Sequence, residues 1–130
     1  MTSEAKGEFE LNGWDADTYD EAEGATLARV SAPKTFRGDL VGTSRAELLT
    51  VHDDAGNPAA YAGVERVTGT LQGRSGTFVL QHIAPGTAGE PLVIRIVPNT
   101  ATGELKGLRG TLSITGDAGK GHTYTIDYEF

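Results

Sequence analysis

Cysteine is absent from this 130-residue chain, and with it go a disulfide framework, a thiol nucleophile and a thiolate metal site. The redox state of a compartment is therefore left open, with the cytoplasm as the default. Basic residues are few: 11 Lys and Arg against 18 Asp and Glu give a net charge of −7. Such a surface repels a phosphate backbone, which argues against a nucleic-acid partner, and it serves solubility. Long apolar runs are missing too. The start, MTSEAKGEFE, has no basic segment leading into a hydrophobic one, so it does not read as a secretory signal. Runs such as Leu92 to Ile94 are far too short to span a bilayer as a helix, so no membrane partner is expected.

Catalytic signatures are also scarce. The three histidines, His52, His82 and His122, lack the spacing of a metal-binding motif, and no metal or other cofactor is expected. Serines such as Ser75 sit in no G-x-S-x-G elbow. The segment Asp53 to Asn57 resembles part of a calcium loop but lacks the full ligand pattern. The glycine-rich turns open no helix, which removes a dinucleotide-binding fingerprint.

What is present is glycine, 18 residues of it, with many threonines and valines and no sustained helical periodicity. The chain reads as all-β and as one domain, residues 1–6 forming a flexible tail. Eight strands are expected. The first carries Phe9 and Leu11 and ends at Trp14, and the acidic stretch Asp15 to Gly24 reads as a loop, with Tyr19 as a lid contact or packing anchor. Strands follow over Leu27 to Arg37, Thr43 to His52, Ala60 to Thr68 and Gly76 to Ile83, with Pro33 marking an edge, bend or bulge in the second. The last three are Leu92 to Val97, Leu108 to Ile114 and His122 to Phe130. Turn chemistry separates most of them, as in DDAGNP, APGTAGEP and GDAGKG.

The pattern G-x-L-x-G recurs at Gly38, Gly69 and Gly103. Each glycine pair can supply the positive φ of a tight reversal, and each leucine can turn inward as a plug. Short antiparallel strands joined by hairpins close into an eight-stranded up-and-down barrel, with a two-sheet sandwich as the rival. An eight-stranded barrel is either filled or just wide enough for one small ligand.

Alternation sorts the residues into faces. His122, Tyr124, Ile126, Tyr128 and Phe130 fall on one face, as do Leu92, Ile94 and Ile96, and Leu108, Leu112 and Ile114. Phe78 and Leu80 carry His82 inward, with Val79 and Gln81 as the alternative inner set, Tyr61, Gly63 and Val67 carry Glu65, and Leu49 and Val51 carry Glu47. Glu47, Glu65, His82 and His122 are thus the polar groups expected to face a largely apolar lumen. A desolvated carboxyl has a raised pKa and suits acid–base work, with a histidine beside it sharing the proton. Glu65, Glu47 and His82 are the candidate catalytic residues. Trp14, Tyr61, Phe78, His122, Tyr124 and Tyr128 are the candidate contacts for a small apolar molecule. The same carboxylates could instead pair with an arginine such as Arg66 or Arg74, or fix the register of the barrel.

The strings KTFRGDLVGTSRAELL, YAGVERVTGTLQGRSGTFVLQH, VPNTATGELKGLRGT and HTYTIDYEF occur in that order from Lys34 to Phe130. Together they resemble an uncharacterised family of short bacterial proteins, classed as a domain of unknown function, whose fold is similar to the allene oxide cyclase barrel. The resemblance implies an eight-stranded antiparallel barrel with a central cavity, often oligomeric, and implies no assigned activity. By analogy of fold, the functions to weigh are a cofactor-free isomerase or cyclase, a non-catalytic small-ligand binder, and a structural domain that forms homo-oligomers.

Overall fold

The computed structural model describes residues 2–85, 92–116 and 122–130. Among them are nine strands: β1 (Ser3–Leu11), β2 (Asp15–Ala22), β3 (Ala25–Gly38), β4 (Leu40–Asp53), β5 (Pro58–Leu71), β6 (Arg74–Ala84), β7 (Val93–Ile96), β8 (Arg109–Gly116) and β9 (His122–Glu129). All neighbours are antiparallel, in the order β1-β9-β8-β7-β6-β5-β4-β3-β2. A further pairing of β1 with β3, from Gly7 opposite Gly38 to Leu11 opposite Lys34, closes eight strands into a barrel and leaves β2 outside it. No helix among the described residues is long and apolar enough to cross a membrane.

Two expectations from the sequence change at the N-terminus. Residues 3–6 are no tail: they form the start of β1, paired with β9, and Ala5 is fully buried. The acidic stretch is no loop either, since Asp15–Ala22 pairs with Ala25–Ser31 of β3 while every one of its residues stays exposed. An all-exposed strand carries no hydrophobic alternation, so the sequence pattern has nothing to register. β1 and β2 run in the same direction along one edge of β3 and meet at Pro33. There the Pro33 carbonyl accepts a hydrogen bond from the Asn12 N–H (2.8 Å). The N and C=O of a strand residue point to the same side, so the donor that proline lacks faces the gap between β1 and β2, where no ladder partner stands. Across its other edge β3 pairs with β4 without a shift of register at Pro33.

The three G-x-L-x-G segments gather at one end of the barrel. Leu40, Leu71 and Leu105 are each at most 1% exposed and belong to the main core cluster with Phe36, Phe78 and Tyr124. Burial of each such side chain contributes about 1.5–3 kcal/mol. The leucines plug that end, as their spacing suggests, but the glycines divide their work. Gln72 and Gly73 (φ 45° and 90°) make the two-residue turn between β5 and β6. Gly69 instead lies within β5, opposite Gly42 on β4 and Gly76 on β6. A Cβ on Gly69 would lie 2.4 Å from the Val41 carbonyl oxygen, so this row lets three backbones crowd together where the sheet curls.

The Tyr124 hydroxyl ties the same end across the barrel: it accepts from the Leu40 N–H (2.9 Å) and donates to the Arg37 carbonyl (2.8 Å). At the opposite end, Asp53 to Asn57 form the expected reversal, with the Asp53 carboxylate accepting from the Ala55 and Asn57 N–H groups. The APGTAGEP and GDAGKG turns fall largely on residues 86–91 and 117–121, outside the described residues.

Candidate functional site

The inward faces of β5, β6, β8 and β9 follow the alternation: Glu65, Val67, Phe78, Leu80, His82, Leu112, Tyr124, Ile126 and Tyr128 are buried. Ile94 and Ile96 on β7 are buried as well, whereas Leu92 and Phe130, beyond the strand ends, are more than 40% exposed. β4 runs in the other phase. Ser44, Ala46, Leu48 and Thr50 are the buried set, Leu49 is 55% exposed, and Glu47 faces outward. There the Ser31 hydroxyl donates to Glu47 (3.2 Å) and Arg29 lies 3.5 Å from its carboxylate. Both phases of β4 hold apolar residues, so alternation cannot choose between them. The register does, because Ala46 stands opposite Glu65 and directly opposed residues share a face.

At mid-barrel four strands converge on one carboxylate. Glu65 of β5 is 1% exposed. His82 of β6 stands opposite Gly63, two residues from Glu65 on the same face, and its Nε2 reaches Glu65 Oε1 at 2.7 Å. Ser44 of β4 stands opposite Val67, two residues the other way, and its hydroxyl donates to Oε2 at 2.5 Å. Lys34 of β3 completes the group, its Nζ donating to Oε1 at 3.1 Å and lying 4.9 Å from the centre of the Phe9 ring. Diagonal neighbours on one face of a sheet lie within reach of long side chains, which is how three strands supply one acceptor.

The electrostatic consequence reverses the expectation for a lumen carboxyl. Burial alone would push the pKa of Glu65 up. The hydrogen bond from His82, the charge of Lys34 and the hydrogen bond from Ser44 outweigh it and bring the pKa from 4.5 down to about 2. Glu65 is therefore a fixed carboxylate, an anchor for three neighbours and no proton reservoir. The ionised carboxylate only accepts, so His82 Nε2 carries the hydrogen of their bond. Its other nitrogen, Nδ1, is buried and has no hydrogen-bond partner among the described residues. Tyr61, 6.2 Å from the His82 ring centre, has its phenol pKa raised by burial and by the charge of Glu65, which keeps it a neutral O–H.

Above this cluster lies a cavity of about 160 Å³ whose walls include Phe9, Trp14, Lys34, Tyr61, His82 and His122. Trp14 and Tyr61 also wall a second pocket, of about 330 Å³, which continues along β4 and β5 past Val51 and Pro58. Among the described residues the lumen is thus filled at the leucine end and hollow at the other. Of the expected contacts, Trp14, Tyr61 and His122 stand on the cavity wall, His122 stacked 4.9 Å from Phe9. Phe78, Tyr124 and Tyr128 lie in the packed core instead. Of the three candidate catalytic residues, Glu65 and His82 meet and Glu47 is outside. Lys34 and Ser44 were not among the candidates. The buried series Ala28, Val30, Ala32, Lys34, Phe36 puts Lys34 in phase with an apolar face, a signal present in the sequence.

A search of curated proteins finds no match to this chain. A crystal structure of a protein of unknown function from Shewanella oneidensis MR-1 is similar over 100% of this chain and 98% of its own, at 33% identity and a TM-score of 0.89. That protein is assigned to the family DUF3224. The model of the same family, described as "Protein of unknown function (DUF3224)", matches residues 5–128. The buried Lys34–Glu65–His82 cluster and the half-hollow barrel around it accordingly belong to a member of the DUF3224 family.

Proposed function

We propose that this barrel binds a small, mostly apolar molecule in the hollow half of its lumen, seated over the Lys34–Glu65–His82 cluster. The observation that carries this reading is the cavity of about 160 Å³, apolar and aromatic on its walls and polar on its floor. A dry cavity of roughly 150 Å³ is large enough to hold benzene. Convergent polar groups in an otherwise apolar pocket are the usual anatomy of a small-molecule site.

Trp14 is the sole tryptophan and stands on the wall, so it reports occupancy directly. Titration with benzene or toluene is expected to change Trp14 emission saturably and to raise the melting temperature. At ligand concentrations of about 100 Kd the added stability is about 2.7 kcal/mol. Ala32→Leu, which places a larger side chain on the cavity wall, is expected to remove both responses in a protein whose circular dichroism is unchanged. Failure of every probe with the wild-type protein refutes the reading, as does an undiminished response in folded Ala32→Leu.

A catalytic reading, as a cofactor-free isomerase or cyclase, is favoured by one observation, the His82 imidazole on the cavity wall held by the Glu65 carboxylate. It makes His82 the acid–base group and Glu65 the residue that positions it, and it gives Glu47 no part. Turnover of enone or epoxide probes by the wild type that persists undiminished in folded His82→Phe would remove His82 from such a mechanism.

A further inference from the structure

We infer that the outer face of the barrel carries a second binding site, separate from the lumen, in which Arg45 of β4 and Arg66 of β5 hold the phosphoryl group of a small phosphate monoester.

The register puts the two arginines directly opposite each other, with their Cβ atoms about 5 Å apart on one face. That face is the outward one, since their chain neighbours Ser44, Ala46, Glu65 and Val67 are all buried. Like charges placed directly opposite disfavour the pairing of the strands that carry them. Other exposed arginines of the barrel are answered by acids: Arg29 by Glu47, Arg37 by Glu8 and Arg109 by Glu129. Arg45 and Arg66 have no acidic partner among the described residues, in a chain with 18 acids and 11 bases. Two facing guanidinium groups without a counter-charge are what a bound dianion would bridge.

The surroundings fit such an occupant. Both arginines wall a depression of about 750 Å³ on the outer face. Thr43 and Thr68 share that wall and stand opposite each other in the next row, so two hydroxyls and two guanidinium groups form a square block of donors. Each guanidinium can donate two parallel hydrogen bonds to a phosphoryl group, whose oxygens all accept. Val64 and Val79 give the organic part of the ligand an apolar wall. Two carboxylates border the depression, and both are already engaged. Glu47 lies 3.5 Å from Arg29 and accepts from Ser31, while Glu65 turns inward to Lys34, Ser44 and His82.

Charge and size select the ligand class. A carboxylate brings one charge and two oxygens, whereas a phosphate monoester brings about −1.5 to −2 at pH 7 and three oxygens. The second matches two cations. Charges are screened over about 8 Å at physiological ionic strength, so a small ligand meets mainly the arginine pair. A polymer of phosphates would extend beyond it onto a chain of net charge −7.

Phenyl phosphate and benzenesulfonate share a ring and a head of three oxygens but differ by one charge, which makes them the decisive pair of probes. At pH 8 and fixed ionic strength, calorimetric titration is expected to show phenyl phosphate bound about tenfold or more tightly, the factor that one charge-assisted hydrogen bond confers. Arg45→Gln and Arg66→Gln are each expected to weaken phenyl phosphate about tenfold or more. Arg74→Gln removes the same charge from an arginine stacked on Phe130 and is expected to leave the affinity unchanged. Ala32→Leu is expected to retain it, which separates this site from the lumen. Without ligand, Arg45→Gln and Arg66→Gln should melt no lower than the wild type, because each relieves a repulsion. The inference is overturned by equal affinity for the two probes, by no binding of phenyl phosphate, or by equal losses in Arg74→Gln and Arg45→Gln. Loss of binding in folded Ala32→Leu overturns it too, as does a lowered melting temperature in both arginine variants, which would give the pair to the fold. Toluene binding in the lumen stands or falls separately.

Discussion

Glu65→Gln tests the electrostatic account of the cluster more sharply than any other substitution. Gln keeps the shape of Glu65 and can still accept from Ser44 and donate or accept toward His82, but it removes the negative charge. Lys34, whose side chain is 9% exposed, is then a buried ammonium without a counter-charge. Removing one partner of a buried ion pair costs about 3–5 kcal/mol. For a chain of this length that lowers the melting temperature by roughly 10–20 °C. The pH dependence gives a second measure of the same interaction. The Glu65 pKa lies near 4.5 unfolded and at about 2 folded, so its contribution is fully present above pH 4.5 and fades as pH falls through 2. That difference corresponds to about 3 kcal/mol at neutral pH. Urea unfolding of both proteins at pH 7, 5, 4 and 3 should therefore show their stabilities converging as the pH drops. Lys34→Met combined with Glu65→Gln leaves no charge buried and should recover most of the loss. The reasoning fails if Glu65→Gln is within about 0.5 kcal/mol of wild type at pH 7, the scatter of an ordinary surface change. It also fails if the gap between the two proteins does not narrow with acid.

Two further outcomes follow from the closed end of the barrel. Tyr124→Phe strands the buried Leu40 N–H and should cost about 1–3 kcal/mol in chemical denaturation, while the response of Trp14 emission to toluene stays that of the wild type. Gly69→Ala should be far worse than Gly24→Ala. The first drives a Cβ to within 2.4 Å of a backbone oxygen, while the second meets no atom within 4 Å and bears only the strain of φ near +100°, about 1–2 kcal/mol. Comparable melting temperatures for the two variants would refute the crowding described at the Gly42–Gly69–Gly76 row.

The barrel and most of its strands could be read from the chain because their signals are local. Alternation on β9 and the turn chemistry at Gly73 and at Asp53 to Asn57 need no knowledge of distant partners. The site is a different matter. Glu65 and His82 are separated by one hairpin, so their common face could be read from β5 and β6 alone. Glu47 was misplaced because β4 is apolar in both phases, and only its pairing with β5 chooses one. The lowered pKa of Glu65 depends on the hydrogen bond from His82 and also on Lys34, which is 31 residues away and joined to it only through the register of β3 on β4 and β4 on β5. Burial alone predicts a raised pKa, and the sign turns on the hydrogen bond from His82 together with Lys34 and Ser44, which meet Glu65 only once β3, β4, β5 and β6 are paired. β2 was unreadable for another reason: it buries nothing.

Among the described residues, the leucine plug makes the barrel a vessel with one closed end and one mouth. Leu40, Leu71 and Leu105 stop one end and the Lys34–Glu65–His82 cluster forms the floor above them, so a molecule in the lumen must leave by the way it came. Traffic in such a vessel is strictly sequential: a newcomer cannot displace an occupant from behind, and two molecules exchange only after the first has vacated. Exchange kinetics should then be set by the departure rate alone, unaffected by the concentration of a competitor waiting outside. A barrel open at both ends would have no such constraint.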